Sequence, residues 1–116
     1  MTVEQVYKNM DSDYASVKDR LQNDALIEKF LIKFLADESY ANILKNLEAQ
    51  NLEEAFRAAH TLKGVAQNMG FDNLAESSSI LTEALRSRKV MPYAEQIEGV
   101  CEDYNKIRET ITEYKK

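Results

Sequence analysis

The stretch His60-Thr61-Leu62-Lys63-Gly64-Val65-Ala66-Gln67-Asn68-Met69-Gly70 holds the one histidine of the chain and two of its three glycines. Apolar residues at three- and four-residue spacing run through it and predict a helix from about Leu52 to Met69. Gly64 stands inside that helix, where glycine costs about 1 kcal/mol relative to alanine. Gly70 stands where a glycine C-cap is expected. On a wheel of about 100° per residue, Ala55, Ala58, Ala59, Leu62, Val65, Ala66 and Met69 share an arc of roughly 120°. This core face is rich in alanine, so neighbouring helices can approach it closely. Glu53, Phe56, Arg57, His60, Lys63, Gly64 and Gln67 fall on the other side. His60 is therefore expected to point away from the core.

The flanking sequence is also helical in period. Val3, Val6, Tyr7 and Met10 mark a short first helix, and Tyr14, Val17 and Leu21 a second. Asp11-Ser12-Asp13 can cap one and Asn23 or Asp24 the next. Leu26, Ile27, Phe30, Leu31, Phe34 and Leu35 form one broad stripe, expected deep in the core. Tyr40, Ile43, Leu44 and Leu47 carry the period on to about Gln50. The polar run Asp37-Glu38-Ser39 admits a break, so residues 24–50 read as one helix or two. Phe71, Leu74, Ser78, Leu81 and Leu85 follow Gly70, with small Ser77, Ser78 and Ser79 offering a close approach. Arg86, Arg88 and Lys89 are expected in the last turn of that helix, where cations suit its dipole. Pro92 suits the start of a final helix. Its residues Tyr93, Ile97, Val100, Tyr104, Ile107, Ile111 and Tyr114 make a strict seam, and Gly99 is placed on its exposed side.

Short connections between long helices imply antiparallel neighbours. The fold expected is all-α: an antiparallel up-and-down four-helix bundle from segments 24–50, 52–69, 72–88 and 92–115. Two short N-terminal helices (residues 1–22) would cover one end or groove of a single domain, 1–116. Composition agrees, since 44% hydrophobic residues in 116 can build a core, and one proline with three glycines leaves hairpins little support. A net charge of −5 argues against nucleic acid and anionic membrane as partners. A single cysteine, Cys101, rules out an internal disulfide and a cysteine-rich zinc site, and reads as a small core residue. With no apolar run long enough for a signal peptide or a span, a cytoplasmic setting is expected. The final seam is needed to close the bundle, so the chain is expected to be a monomer.

The outward face carries the chemistry. An imidazole is largely neutral near pH 7 and is then a good nucleophile. Lys63, one turn on, places a cation beside anything attached to the ring. Gln67, two turns on, can hydrogen-bond to the ring or to a bound group. Gly64 removes a side chain beside the ring and lets another molecule come close. Phe56, read as an exposed aromatic, completes a docking patch with Gly64 and Arg57. Attack of such a nucleophile on phosphorus needs alignment and charge stabilisation, and little else from the protein. Metal binding is a poorer reading, with no second histidine and no carboxylate cluster around His60. Hydrolysis is poorer too, because Thr61 lies about 100° away around the helix and no acid orients the ring.

The pattern His60-Thr61-Leu62-Lys63-Gly64-x-Ala66-x-x-x-Gly70, with an amphipathic helix before it and a leucine-rich one after, resembles the signature of histidine-containing phosphotransfer (HPt) domains. The resemblance spans roughly residues 24 to 112. It implies that His60 accepts a phosphoryl group from an aspartyl phosphate on a response-regulator receiver domain and passes it on in a two-component phosphorelay, with a hybrid sensor kinase upstream. It implies that Lys63 stabilises the phosphoryl charge, Gly64 clears the approach and Gln67 helps orient the ring. It implies no kinase activity in this chain and no cofactor, Mg²⁺ belonging to the receiver. The alternative is an interaction module that docks a receiver or kinase domain while no phosphate moves.

Overall fold

A computed structural model describes residues 1–116 as seven helices: α1 (Val3–Asn9), α2 (Tyr14–Leu21), α3 (Asp24–Phe34), α4 (Ser39–Glu48), α5 (Leu52–Asn68), α6 (Asp72–Leu85) and α7 (Ala94–Lys115). Local chemistry sets most of the starts. At Thr2 the hydroxyl accepts from Gln5 N–H while Gln5 Oε1 accepts from Thr2 N–H, a reciprocal cap for α1. The side chains of Asp13, Asn23 and Asn51 cap α2, α3 and α5.

Residues 24–50 are two helices, although neither proline nor glycine separates them. Asp37 Oδ1 accepts from Ser39 N–H at 2.9 Å, a local bond that competes with the helical ladder. Arg108 of α7 donates to the Leu35 carbonyl at 2.8 Å and satisfies an acceptor that the interrupted helix leaves free.

α4, α5, α6 and α7 make the antiparallel bundle, with α5 packed between α4 and α6, and α6 against α7. Tyr40 stacks on Tyr104 at 4.4 Å and closes α4 onto α7. α7 is long enough to continue past the bundle, where it meets α1 and α3. Here the expectation for α3 needs correction. Ile27, Leu31 and Phe34 are buried, but Leu26 and Phe30 each stay 36% exposed. α3 lies at the end of the bundle, packed against α1, α2 and α7, so a stripe six residues wide has no partner for its outer edge.

Two smaller expectations also change. Gly99 does not face solvent: a Cβ there would lie 3.8 Å from Ser77 Cβ, so the glycine belongs to the close contact of α7 with α6. α6 ends at Leu85, not near residue 88, which puts Arg86 at its C-cap and Arg88 beyond it with φ 53°. The two arginines are thus free to turn toward α5. No buried side-chain nitrogen or oxygen lacks a partner: Ser78 and Thr82 donate to the carbonyls of Leu74 and Ser78. No helix is long and apolar enough to cross a membrane.

The C-terminal end of α5 is tied to the N-terminal helices. Tyr7, fully buried, donates to the Met69 carbonyl at 2.7 Å, and its burial pushes the phenol above its ordinary pKa. Asp13 N–H donates to the Gly70 carbonyl at 2.8 Å. Arg20 donates to the carbonyls of Gln67 and Asn68, acceptors that a helix end otherwise leaves to water. Gly70 is required twice over, by its φ of 71° and because a Cβ would stand 2.6 Å from the Asp13 carbonyl oxygen. Gly70→Ala should therefore lower the unfolding free energy by about 2 kcal/mol or more. Tyr7→Phe should cost about 1 kcal/mol. Urea unfolding followed by circular dichroism measures both; an unchanged midpoint for Gly70→Ala would refute this view of the turn.

Candidate functional site

α5 buries Ala55, Ala59, Leu62 and Ala66 completely and turns His60 outward into solvent, on the side expected. The Phe56 ring lies 6.3 Å from the imidazole, tilted by 32°. It is not the open aromatic that the wheel implied. Phe56 is half-buried against the core, and the guanidinium of Arg88 sits 3.9 Å from its centroid, that of Arg86 5.4 Å. The wheel missed this because it describes one helix, whereas the cover comes from residues beyond the end of α6.

Arg88 is fixed on three sides. Besides Phe56 it meets Glu53 Oε2 at 2.9 Å, and its Nη1 donates to the Arg86 carbonyl at 2.6 Å. Hydrogen bonding from Arg88 holds the Glu53 carboxyl below its ordinary pKa. Arg57 is exposed and reaches Glu53 at 3.4 Å and Glu54 at 3.6 Å. Thr61 donates its hydroxyl to the Arg57 carbonyl at 2.9 Å, so that proton is committed to the helix backbone.

The remaining expected site residues lie along the same face. Lys63 is half-buried one turn beyond His60, and its charge acts on Glu83 of α6. Gln67 is exposed two turns on; its backbone carbonyl, rather than its side chain, meets Arg20. At Gly64 an added Cβ would meet nothing within 4 Å. Packing inside the chain gives no reason for that glycine.

His60, Phe56, Arg57, Thr61 and Arg86 line an open depression of about 510 Å³. On the other flank of α5, exposed Phe30 joins Leu21, Val65, Asn68, Met69 and Arg20 around a groove of about 370 Å³. Arg86 in the His60 depression, with Arg88 and Glu83 as its neighbours, and Phe30 in the groove are candidates to which the sequence assigned no site role. A count of the basic residues at 86, 88 and 89 flags the first two as unusual, but their direction depends on how the chain leaves α6. No three His, Cys, Asp or Glu side chains come together anywhere in the chain. The candidate site is one imidazole beside cations that are themselves paired with Glu53, Glu54 and Glu83.

A family model described as "Hpt domain" matches residues 27–114. The chain belongs to the Hpt-domain family. The matched span runs from within α3 almost to the end of α7, leaving α1 and α2 outside it. Hpt domains serve in two-component phosphorelays and interact with receiver and kinase domains, and this is the general role of the chain. Comparison with curated proteins and with solved structures gives no match. Within the Hpt domain, Gly64 can be tested by stability alone. Gly64→Ala should raise the unfolding free energy by about 0.5–1 kcal/mol, since the helix gains and nothing is crowded. A loss of stability in the same urea experiment would mean that the chain itself needs the glycine.

Proposed function

We propose that this Hpt domain is a phosphotransfer intermediate in which His60 takes a phosphoryl group from a receiver aspartyl phosphate and passes it to another receiver. The observation that carries the reading is the exposed imidazole beside an internally unexplained glycine, in a chain of this family. A lone pair on a ring nitrogen attacks phosphorus in line with the leaving carboxylate. The N–P bond forms as the P–O bond breaks, and the electron pair stays on the aspartate. The other ring nitrogen keeps its proton, so the product is a phosphorylated imidazolium. Transfer onward is the same step reversed onto a second aspartate. No kinase chemistry is asked of this chain, and Mg²⁺ belongs with the receiver.

The surrounding residues have roles consistent with this. Lys63 offsets charge on the phosphoryl oxygens. Gln67 steadies the ring or the bound group, and Gly64 leaves room for the receiver backbone. Arg57 contributes to docking. Phe56, under its arginines, supports the imidazole side of the site, and the apolar docking surface lies on the flank of Phe30 and Val65.

Incubation with a phosphorylated receiver should place acid-labile phosphate on the chain, and His60→Gln should remove it entirely while leaving receiver binding intact. Lys63→Gln should slow transfer by about tenfold, the effect of one charge-assisted contact. Gly64→Leu should block receiver binding in a protein that still folds. Labelling of the His60→Gln protein to the wild-type extent would show that the phosphoryl group goes elsewhere.

A further inference from the structure

Among the ion pairs at this site, Arg86–Glu83 is the one built as a guanidinium fork on a single carboxylate. Arg86 meets Glu83 as a fork, Nε to Oε2 at 3.0 Å and Nη2 to Oε1 at 2.8 Å. Both side chains are 58% exposed. An ion pair so open to water contributes little, so its partners exchange readily. The backbone beneath it is held, because Arg88 donates to the Arg86 carbonyl while itself clamped on Phe56 and Glu53. Arg86 therefore has a fixed root and a loosely held head. That head borders the same depression as His60.

We propose that Arg86 is a second phosphoryl-binding cation, parked on Glu83 while His60 is unmodified and moving to the phosphoryl oxygens once His60 carries them. This rests on the reading of His60 as the phospho-acceptor. A guanidinium fork matches a phosphoryl group in geometry, and the group brings more negative charge than one carboxylate. The exchange therefore favours the phosphorylated imidazole. Glu83 is a positioning residue in this scheme: it stands in for the phosphoryl charge before that charge arrives. Its carboxyl is held below the ordinary range first by the Arg86 hydrogen bonds, then by the charges of Arg86 and Lys63. Lys63 thus bears on the same placeholder as Arg86. Arg88 is already engaged by Glu53 and Phe56, and Arg57 divides its longer contacts between Glu53 and Glu54. The sequence reading gave Arg86 only a helix-dipole role, and the end of α6 at Leu85 is what releases it.

The test uses phosphoramidate, which needs no receiver. A ring nitrogen of His60 attacks its phosphorus, the P–N bond breaks and ammonia leaves with the electron pair. ³¹P NMR follows the phosphohistidine, and ¹⁵N–¹H spectra follow the Arg Nε–H signals, assigned through Arg86→Lys. On phosphorylation the Arg86 signal should shift while those of arginines far from the depression stay. Arg86→Gln should slow phosphorylation by about three- to tenfold and Arg86→Lys less, as expected for losing one charge-assisted contact. Glu83→Gln should speed it, because the cation is then free beforehand. Lys106→Gln, which removes a positive charge of α7 paired with Asp11, should leave the rate unchanged. The opposite signs at 83 and 86 are decisive, since a merely structural pair is broken equally from either side. An Arg86 signal that stays in place while phosphohistidine forms, or rate changes of the same sign, overturns the proposal. If wild-type protein gives no phosphohistidine, the phospho-acceptor reading of His60 falls, and this inference with it.

Discussion

Ala55, Ala59 and Ala66 carry nothing beyond Cβ, and that shortness lets α4 and α6 close on α5 from both sides. A helix packed along so narrow a face has little freedom to roll. Its C-terminal end is also held, by Tyr7, Asp13 and Arg20 from the N-terminal helices. The consequence is felt on the opposite face, where His60 has no internal partner to orient it. Rigid packing beneath the histidine replaces the hydrogen bonds that a buried catalytic residue would have.

Charge around His60 is arranged from two helices. α5 supplies Lys63 and Arg57, and the chain leaving α6 supplies Arg86 and Arg88. A chain with net charge −5 thus gathers cations about one imidazole. The local acids, Glu53, Glu54 and Glu83, hold those cations apart and in place. On the other flank of α5, α3 leaves Phe30 exposed beside Val65. Charged and apolar surface therefore flank the histidine helix on different sides.

Much of this was legible in advance. The three- and four-residue spacing marked the helices and the outward direction of His60, and the polar residues at Asp11-Ser12-Asp13 and at Asn23 or Asp24 marked two of the caps, because these depend on neighbours within a few residues. Gly70 was legible as a helix stop, but not its second role. That role depends on the Asp13 carbonyl, distant in sequence and 2.6 Å from where a Cβ would be. Phe56 was misjudged for the same kind of reason: a wheel shows where a side chain points and says nothing of what arrives from another helix. The break at Asp37-Glu38-Ser39 stayed open in the sequence because polar residues permit a turn without forcing one. Arg108, from α7, helps to settle it.

The sequence by itself determined the helical class, the histidine face and the family motif, since all three are written in short-range periodicity and in residues a turn apart. The tertiary structure alone decided which half of the α3 stripe is covered, why Gly99 faces Ser77, and where Arg86 and Arg88 turn after α6. Those outcomes depend on contacts between segments far apart in the chain, and no local period records them. Gly64 belongs to both. The sequence marked it as a cost to the helix, and only the packing showed open space around it.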